Sequence, residues 1–214
     1  NLCQRPWCWY YRNGFKCYKA GGNTCFSATG ENQFHAIFGG GPSFIVHPSD
    51  TAPALVALDA RFRIEGPSGA HTIPAAEFFT LPNRDAAREN ALGPGQVLGA
   101  IQLPAARAGT RSRYYKIFDR EAFTHAVVSA AIVLQMDQET CQHARIVLGG
   151  VAPIPWRVPE AERVLMGKRI TPELARQAAE AAVAGAKPLA HNGYKIPLTK
   201  AVVQREVLAL AARK

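Results

Sequence analysis

Apolar and polar positions alternate along ARFRIEGPSGAHTI. Phe62 and Ile64 stand between charged residues, GPSG supplies a turn, and His71 and Ile73 begin the return, which predicts a β-hairpin. Upstream, Phe44–Val46 reads as a short strand. Ser49 or Asp50 then caps a helix whose apolar positions are Ala52, Leu55, Val56 and Leu58. PAAEFF reads as a helical turn, and LGPGQVLGAIQLP as a turn followed by a strand from about Val97 to Leu103. Beyond Arg111 the runs RYYKIF, HAVVSAAIVLQM and ARIVLGG predict three strands, with DQET turning between the second and third. Two helices follow. Thr171 is the N-cap of one, with Pro172 at its first position, Leu174, Ala178, Ala181 and Ala182 on one face, and Gly185 at the C-cap. The other starts near Pro197 and carries Val203, Val207 and Leu210 as a stripe. An antiparallel sheet followed by helices makes the class α+β.

Residues 1–41 do not share this patterning. They are rich in Gly, Asn and Cys and read as loop and turn. Cys3, Cys8, Cys17 and Cys25 fall here at spacings C-x4-C-x8-C-x7-C, leaving Cys141 alone at a later strand start. Disulfides would suit a small secreted chain without a core, whereas this chain is 48% hydrophobic. Structural zinc favours closer cysteine pairs. An iron–sulfur cluster accepts wide spacings, and glycines such as Gly21, Gly22 and Gly30 let backbone wrap closely around one. All three readings stay open on spacing alone. The interleaved Trp7, Trp9, Tyr10, Tyr11, Phe15, Tyr18 and Phe26 make either a shield for a metal group or a small core of their own.

Charge narrows the partners. The net charge is +9, but the basic residues are dispersed, the densest group being Arg107, Arg111, Arg113, Lys116 and Arg120. That pattern suits a solvated surface or an acidic protein partner and argues against nucleic acid. No apolar run approaches the roughly 18–20 residues that cross a bilayer. His35, His47, His71, His125, His143 and His191 show no metal spacing, and there is no G-x-S-x-G elbow or paired acid and base.

NLCQRPWCWYYRNGFKCYKAGGNTC, ENQFHAIFGGG and HPSDTAPALVALDA, taken with GPGQVLGAIQLP, RYYKIFDREAFTHAVVSAAIVL, LGGVAPIPWRVPEAE and KPLAHNGYKIPLTKAVVQREVLAL, resemble the FAD-binding subunit of molybdenum hydroxylases of the xanthine dehydrogenase family. The nearest branch is the flavin subunit of bacterial aldehyde oxidoreductases that carry an extra [4Fe–4S] cluster. The resemblance implies the second part of a PCMH-type FAD-binding domain over 1–108, with a [4Fe–4S] insert at about 1–41. It implies a C-terminal flavoprotein domain over 109–214, built on a three-stranded antiparallel sheet packed with helices. It also implies that the subdomain bearing the Gly-rich FAD loop precedes Asn1 and is missing.

Residue by residue, the resemblance implies that Asn1 bonds FAD through its amide. Asp50, with Ser49 beside it, meets the cofactor's ribose or phosphate-linking region, and Leu98 lies near a ring edge. The segment from Thr124 to Val127, including His125, approaches the flavin. Cys3, Cys8, Cys17 and Cys25 would ligate the [4Fe–4S] cluster. No catalytic acid or base is implied. The implied function is electron transfer from [2Fe–2S] clusters on a small subunit to FAD and an external acceptor. Aldehyde or heterocycle oxidation would take place at molybdopterin on a large subunit, in the cytoplasm or, as part of an exported complex, the periplasm. The competing expectation is a non-catalytic scaffold domain, stapled by zinc or a cluster, that docks onto partner subunits.

Overall fold

A buried strand with both faces covered needs apolar residues at consecutive positions, not alternate ones. The run VSAAIVLQMD meets that need and organises the larger half of the molecule. The computed structural model describes residues 1–122 and 124–212. Strands β4 (Thr110–Ile117), β5 (Val128–Asp137) and β6 (Thr140–Gly149) pair antiparallel in sequence order. Ala130, Ile132 and Leu134 of β5, with Ala144, Ile146 and Leu148 of β6, bury one face against three helices. These are α4 (Pro159–Leu165), α5 (Pro172–Val183) and α6 (Lys195–Ala211). Ala131 and Val147 point the other way, into a second core with Ala52 and Val56 of helix α2 (Thr51–Ala57).

The second core also holds Phe62, Ile64 and Phe78. They come from a smaller sheet in which β1 (Arg61–Gly66) pairs with β2 (Gly69–Pro74) on one side and β3 (Val97–Gln102) on the other, and from the turn of helix α3 (Ala75–Phe78). Helix α2 thus lies between the two sheets. The mixed class, the hairpin and the β3 strand match the sequence reading.

Several elements differ. The C-terminal sheet has five strands, because the two-residue strands β7 (Trp156–Arg157) and β8 (Lys168–Arg169) both pair with β6. Phe44–Val46 is extended but joins no ladder. Single bonds pin that loop instead: Ala36 N–H to Phe44 O at 2.9 Å and His47 N–H to Ala152 O at 2.9 Å. The apolar pattern alone does not predict helix α4, although Pro159 at its start and Glu160 and Glu162 in its first turn suit a helix N-terminus. Thr171 caps α5 by accepting the Leu174 N–H at 3.2 Å. The C-cap of α5 is Ala184, in right-handed conformation, not Gly185. Helix α6 begins at Lys195, two residues before Pro197.

Residues 1–41 are loop with short helical turns, the one α-helical turn being α1 (Trp9–Arg12). Leu2 joins the second core and Ile37 and Phe38 join the larger one, and polar bonds add to this tie. Lys195 is fully buried and donates to the carbonyls of Phe34, His35 and Gly150 at 2.9, 3.1 and 2.7 Å. Burial pulls its pKa down to about 7. Asn192 adds bonds to His35 O and Ala36 O at 3.1 and 3.2 Å. At the other end Lys19 and Glu89, both buried, pair at 3.2 Å, and Arg5 reaches Glu89 at 3.0 Å.

Candidate functional site

The N-terminal end of α2 meets the start of the chain. Ser49 ends a tight polar turn in which its hydroxyl accepts the Ala52 N–H at 3.1 Å, so Ser49 is the side chain that caps the helix. Asp50, at the N-cap position, makes no capping bond. Ser49 also donates to the side-chain oxygen of Asn1, and Thr51 donates to the same oxygen at 2.9 Å. His47 locks the turn from beneath: its Nδ1 accepts the Ser49 N–H at 3.2 Å and its Nε2 meets Leu2 O at 3.3 Å. Burial pulls the His47 pKa down to about 4, so the ring is neutral at pH 7.

Beside this turn lies a cavity of about 690 Å³. Asn1 and Thr51 give its polar end; Leu55 of α2, Leu92, and Val97, Leu98 and Ile101 of β3 give an apolar wall. Val97 and Ile101 are among the most exposed large hydrophobic residues described. A slot with an amide and a hydroxyl at one end and aliphatic walls elsewhere suits a ligand with a flat apolar ring and a polar chain. Of the sequence-derived flavin candidates, Asn1 and Leu98 line this cavity, and Ser49 touches it through Asn1.

Asp50 and His125 sit behind that turn. One Asp50 oxygen accepts Tyr114 OH at 2.8 Å, and the other accepts Lys116 Nζ at 2.7 Å. Lys116 also reaches Thr124 O at 2.8 Å. His125 Nδ1 meets Pro48 O at 3.1 Å, and its ring lies edge-on to Trp7 with centroids 5.1 Å apart. Burial, ahead of the Asp50 charge, raises the Tyr114 pKa well above the ordinary phenol value. Thr51, Tyr114 and Lys116 were missed by sequence reasoning. Thr51 adjoins the HPSD motif and could have been included. Lys116 lies 66 residues from Asp50 and has no local signal.

The cysteines divide. Cys8 is buried with Sγ 3.3 Å from His35 Nε2, and it feels the charges of Cys25 and Cys17. Burial raises its pKa most, against backbone hydrogen bonds from Tyr11 and Tyr10 that lower it. Burial also pulls the His35 pKa down to about 4. Cys25 Sγ takes the Phe44 N–H at 3.4 Å and lies 3.2 Å from Ser27 Oγ. Cys3 is exposed and lines the cavity beside Asn1. Cys8, Cys17 and Cys25 therefore share a neighbourhood that Cys3 does not. Among the described residues no group of three or more His, Cys, Asp or Glu side chains is arranged to hold a metal ion. The four thiols as placed do not fit a [4Fe–4S] cluster. Gly22 has a simpler reason: a Cβ there would lie 1.9 Å from Lys16 O.

Two families match consecutive stretches: the FAD binding domain in molybdopterin dehydrogenase over residues 35–106, and the CO dehydrogenase flavoprotein C-terminal domain over 113–210. The chain is 34% identical over 204 residues to the aldehyde oxidoreductase FAD-binding subunit PaoB of Escherichia coli K12, covering 94% of this chain and 61% of that protein. The chain belongs to the FAD-binding subunits of the molybdopterin dehydrogenase family. Within this family it is also 34% identical over 172 residues to the carbon monoxide dehydrogenase medium chain of Hydrogenophaga pseudoflava, across 78% of this chain and 58% of that one. The solved carbon monoxide dehydrogenase of Hydrogenophaga pseudoflava superposes with TM-score 0.66 at 32% identity, over 76% of this chain and 59% of that one. The chain thus spans about three fifths of the length of these two relatives. The FAD-domain match takes in the Ser49–Thr51 turn and the β3 wall, while residues 1–34 lie outside both family matches. No described helix is long and apolar enough to cross a membrane.

Proposed function

We propose that this chain is the flavin-holding, electron-transferring part of a molybdopterin-dependent hydroxylase. The observation that carries the reading is the cavity between Asn1, Thr51 and Leu98, lying within a chain that matches FAD-binding subunits. Asn1, Ser49 and Thr51 would hold the polar chain of FAD through amide and hydroxyl groups, and Leu98 would lie along a ring. Asp50 and His125 frame the turn from behind. FAD, when bound, supplies the chemistry of accepting and releasing electrons. This chain's residues position it and keep water from its apolar edge.

The domain division at 108/109 belongs to the same proposal, as do the partners: a large subunit with molybdopterin, where an aldehyde or heterocycle is oxidised, and a small [2Fe–2S] subunit. A cytoplasmic location, or a periplasmic one as part of an exported complex, belongs to the proposal as well. Purification with these two partners should yield one FAD per copy of this chain. A complex with intact partners and no flavin would contradict the proposal.

The [4Fe–4S] cluster is a finer proposal. Its support is the shared neighbourhood of Cys8, Cys17 and Cys25 and the donors already aimed at Cys8 and Cys25. A four-thiolate site requires Cys3 to turn from the cavity toward the other three. Iron and acid-labile sulfide at four per chain, lost in Cys17→Ser, is the expected result; a protein prepared with cluster assembly intact that holds no iron would end the proposal.

A further inference from the structure

Asp50 poses an electrostatic problem. Its neighbours Ser49 and Thr51 both bond Asn1 at the polar end of the cavity, so its carboxylate lies one residue from the surface that would receive FAD. FAD carries a diphosphate, hence two negative charges. A bare carboxylate in a partly desolvated site repels such a ligand over several ångströms. The Asp50 side chain is 41% exposed, so burial does not shut its charge away from such a ligand.

The structure supplies a counter-charge from a distant strand. Lys116 on β4 holds Asp50 at 2.7 Å and is itself only 19% exposed. Thr124 O, at 2.8 Å, fixes the ammonium, and Tyr114 OH, at 2.8 Å, holds the second carboxylate oxygen. Both of these donors on the carboxylate come from the C-terminal sheet, not from α2. We propose that Lys116 is a positioning residue whose function is to neutralise Asp50, so that the turn carrying Ser49 and Thr51 can accept a dianionic cofactor. This rests on the flavin reading above.

The test is FAD affinity, followed by quenching of flavin fluorescence, in the full chain with its partner subunits. Lys116→Met should weaken binding by roughly tenfold or more, because an uncompensated carboxylate then faces the negative charge of the cofactor. The loss should shrink at high salt, which screens it. Asp50→Asn in the same chain as Lys116→Met should bind FAD about as tightly as Asp50→Asn alone, because no uncompensated carboxylate is left. Lys116→Arg should keep the affinity. Unchanged binding in Lys116→Met, or an equal loss from Lys116→Met when Asp50 is already Asn, overturns the inference while leaving the flavin reading intact. Wild-type protein that binds no FAD overturns that reading and this inference with it.

Discussion

Between β4 and α6 the core is built on large aliphatic side chains, and Ile132, Leu134, Ile146, Leu148, Leu165 and Leu210 are each fully buried. In residues 1–31 the buried set instead includes Cys8, Cys17, Lys19 and Ser27, with Leu2 as its one large aliphatic. The first region is stabilised by apolar area removed from water, spread over many side chains. The second is held by a few polar anchors to its neighbours: Lys19 and Arg5 on Glu89, and, just beyond it, the Asn192 and Lys195 bonds to the 34–36 carbonyls. Aromatic rings fill the space between, with Tyr10, Phe15 and Phe26 packed at centroid distances of 5.0–6.1 Å. A distributed core fails as a whole, whereas an anchored loop can loosen alone.

The largest expected effect probes the distributed core. Ile146→Ala should lower global stability by about 3–4 kcal/mol, read by denaturant unfolding, as for other buried large-to-small changes. Glu89→Ala should cost about 3 kcal/mol in the anchored region, because it strands the buried Lys19 ammonium. Hydrogen exchange should then rise over residues 1–31 while β5 and β6 stay protected. Equal loosening of both regions would break the distinction.

Acid should act on the second region and the turn after it. His35 and His47 have folded pKa values of about 4, below the ordinary value near 6.5. Below pH 6.5 the unfolded chain takes up protons that the native state refuses, so stability falls as pH drops from about 6.5 to about 4. The loss should be on the order of 2 kcal/mol per histidine, and His47→Gln should flatten its share of the pH profile. The smallest effect is Thr171→Ala, which removes the α5 cap for about 1 kcal/mol and should leave exchange in residues 1–31 untouched.

The same contrast explains what the sequence made legible. Strands β5 and β6 are readable because burial on both faces demands continuous apolar residues, and the β1–β2 hairpin because alternation and a Gly-Pro turn agree. The end of α5 misled because Gly185 looks like a C-cap, yet the chain leaves the helix at Ala184 without needing a left-handed residue. Phe44–Val46 is apolar because it is buried, but its backbone partners come singly from Ala36 and Ala152. At the site, Asn1, Ser49 and Leu98 were reached through resemblance to a family. The Lys116–Asp50 pair exists only once β4 is folded against α2. Cys3 shows the limit of spacing: four cysteines close in sequence do not share one neighbourhood when the first faces the cavity.

The central claim is that the cavity walled by Leu98 receives the flavin. Equilibrium titration with FAD of the protein assembled with its partners, wild type against Leu98→Trp, tests it most directly. The account predicts saturable one-to-one binding in the wild type and at least a tenfold loss when the tryptophan fills the cavity, with the unfolding midpoint unchanged. Wild-type affinity in the Leu98→Trp protein would contradict it.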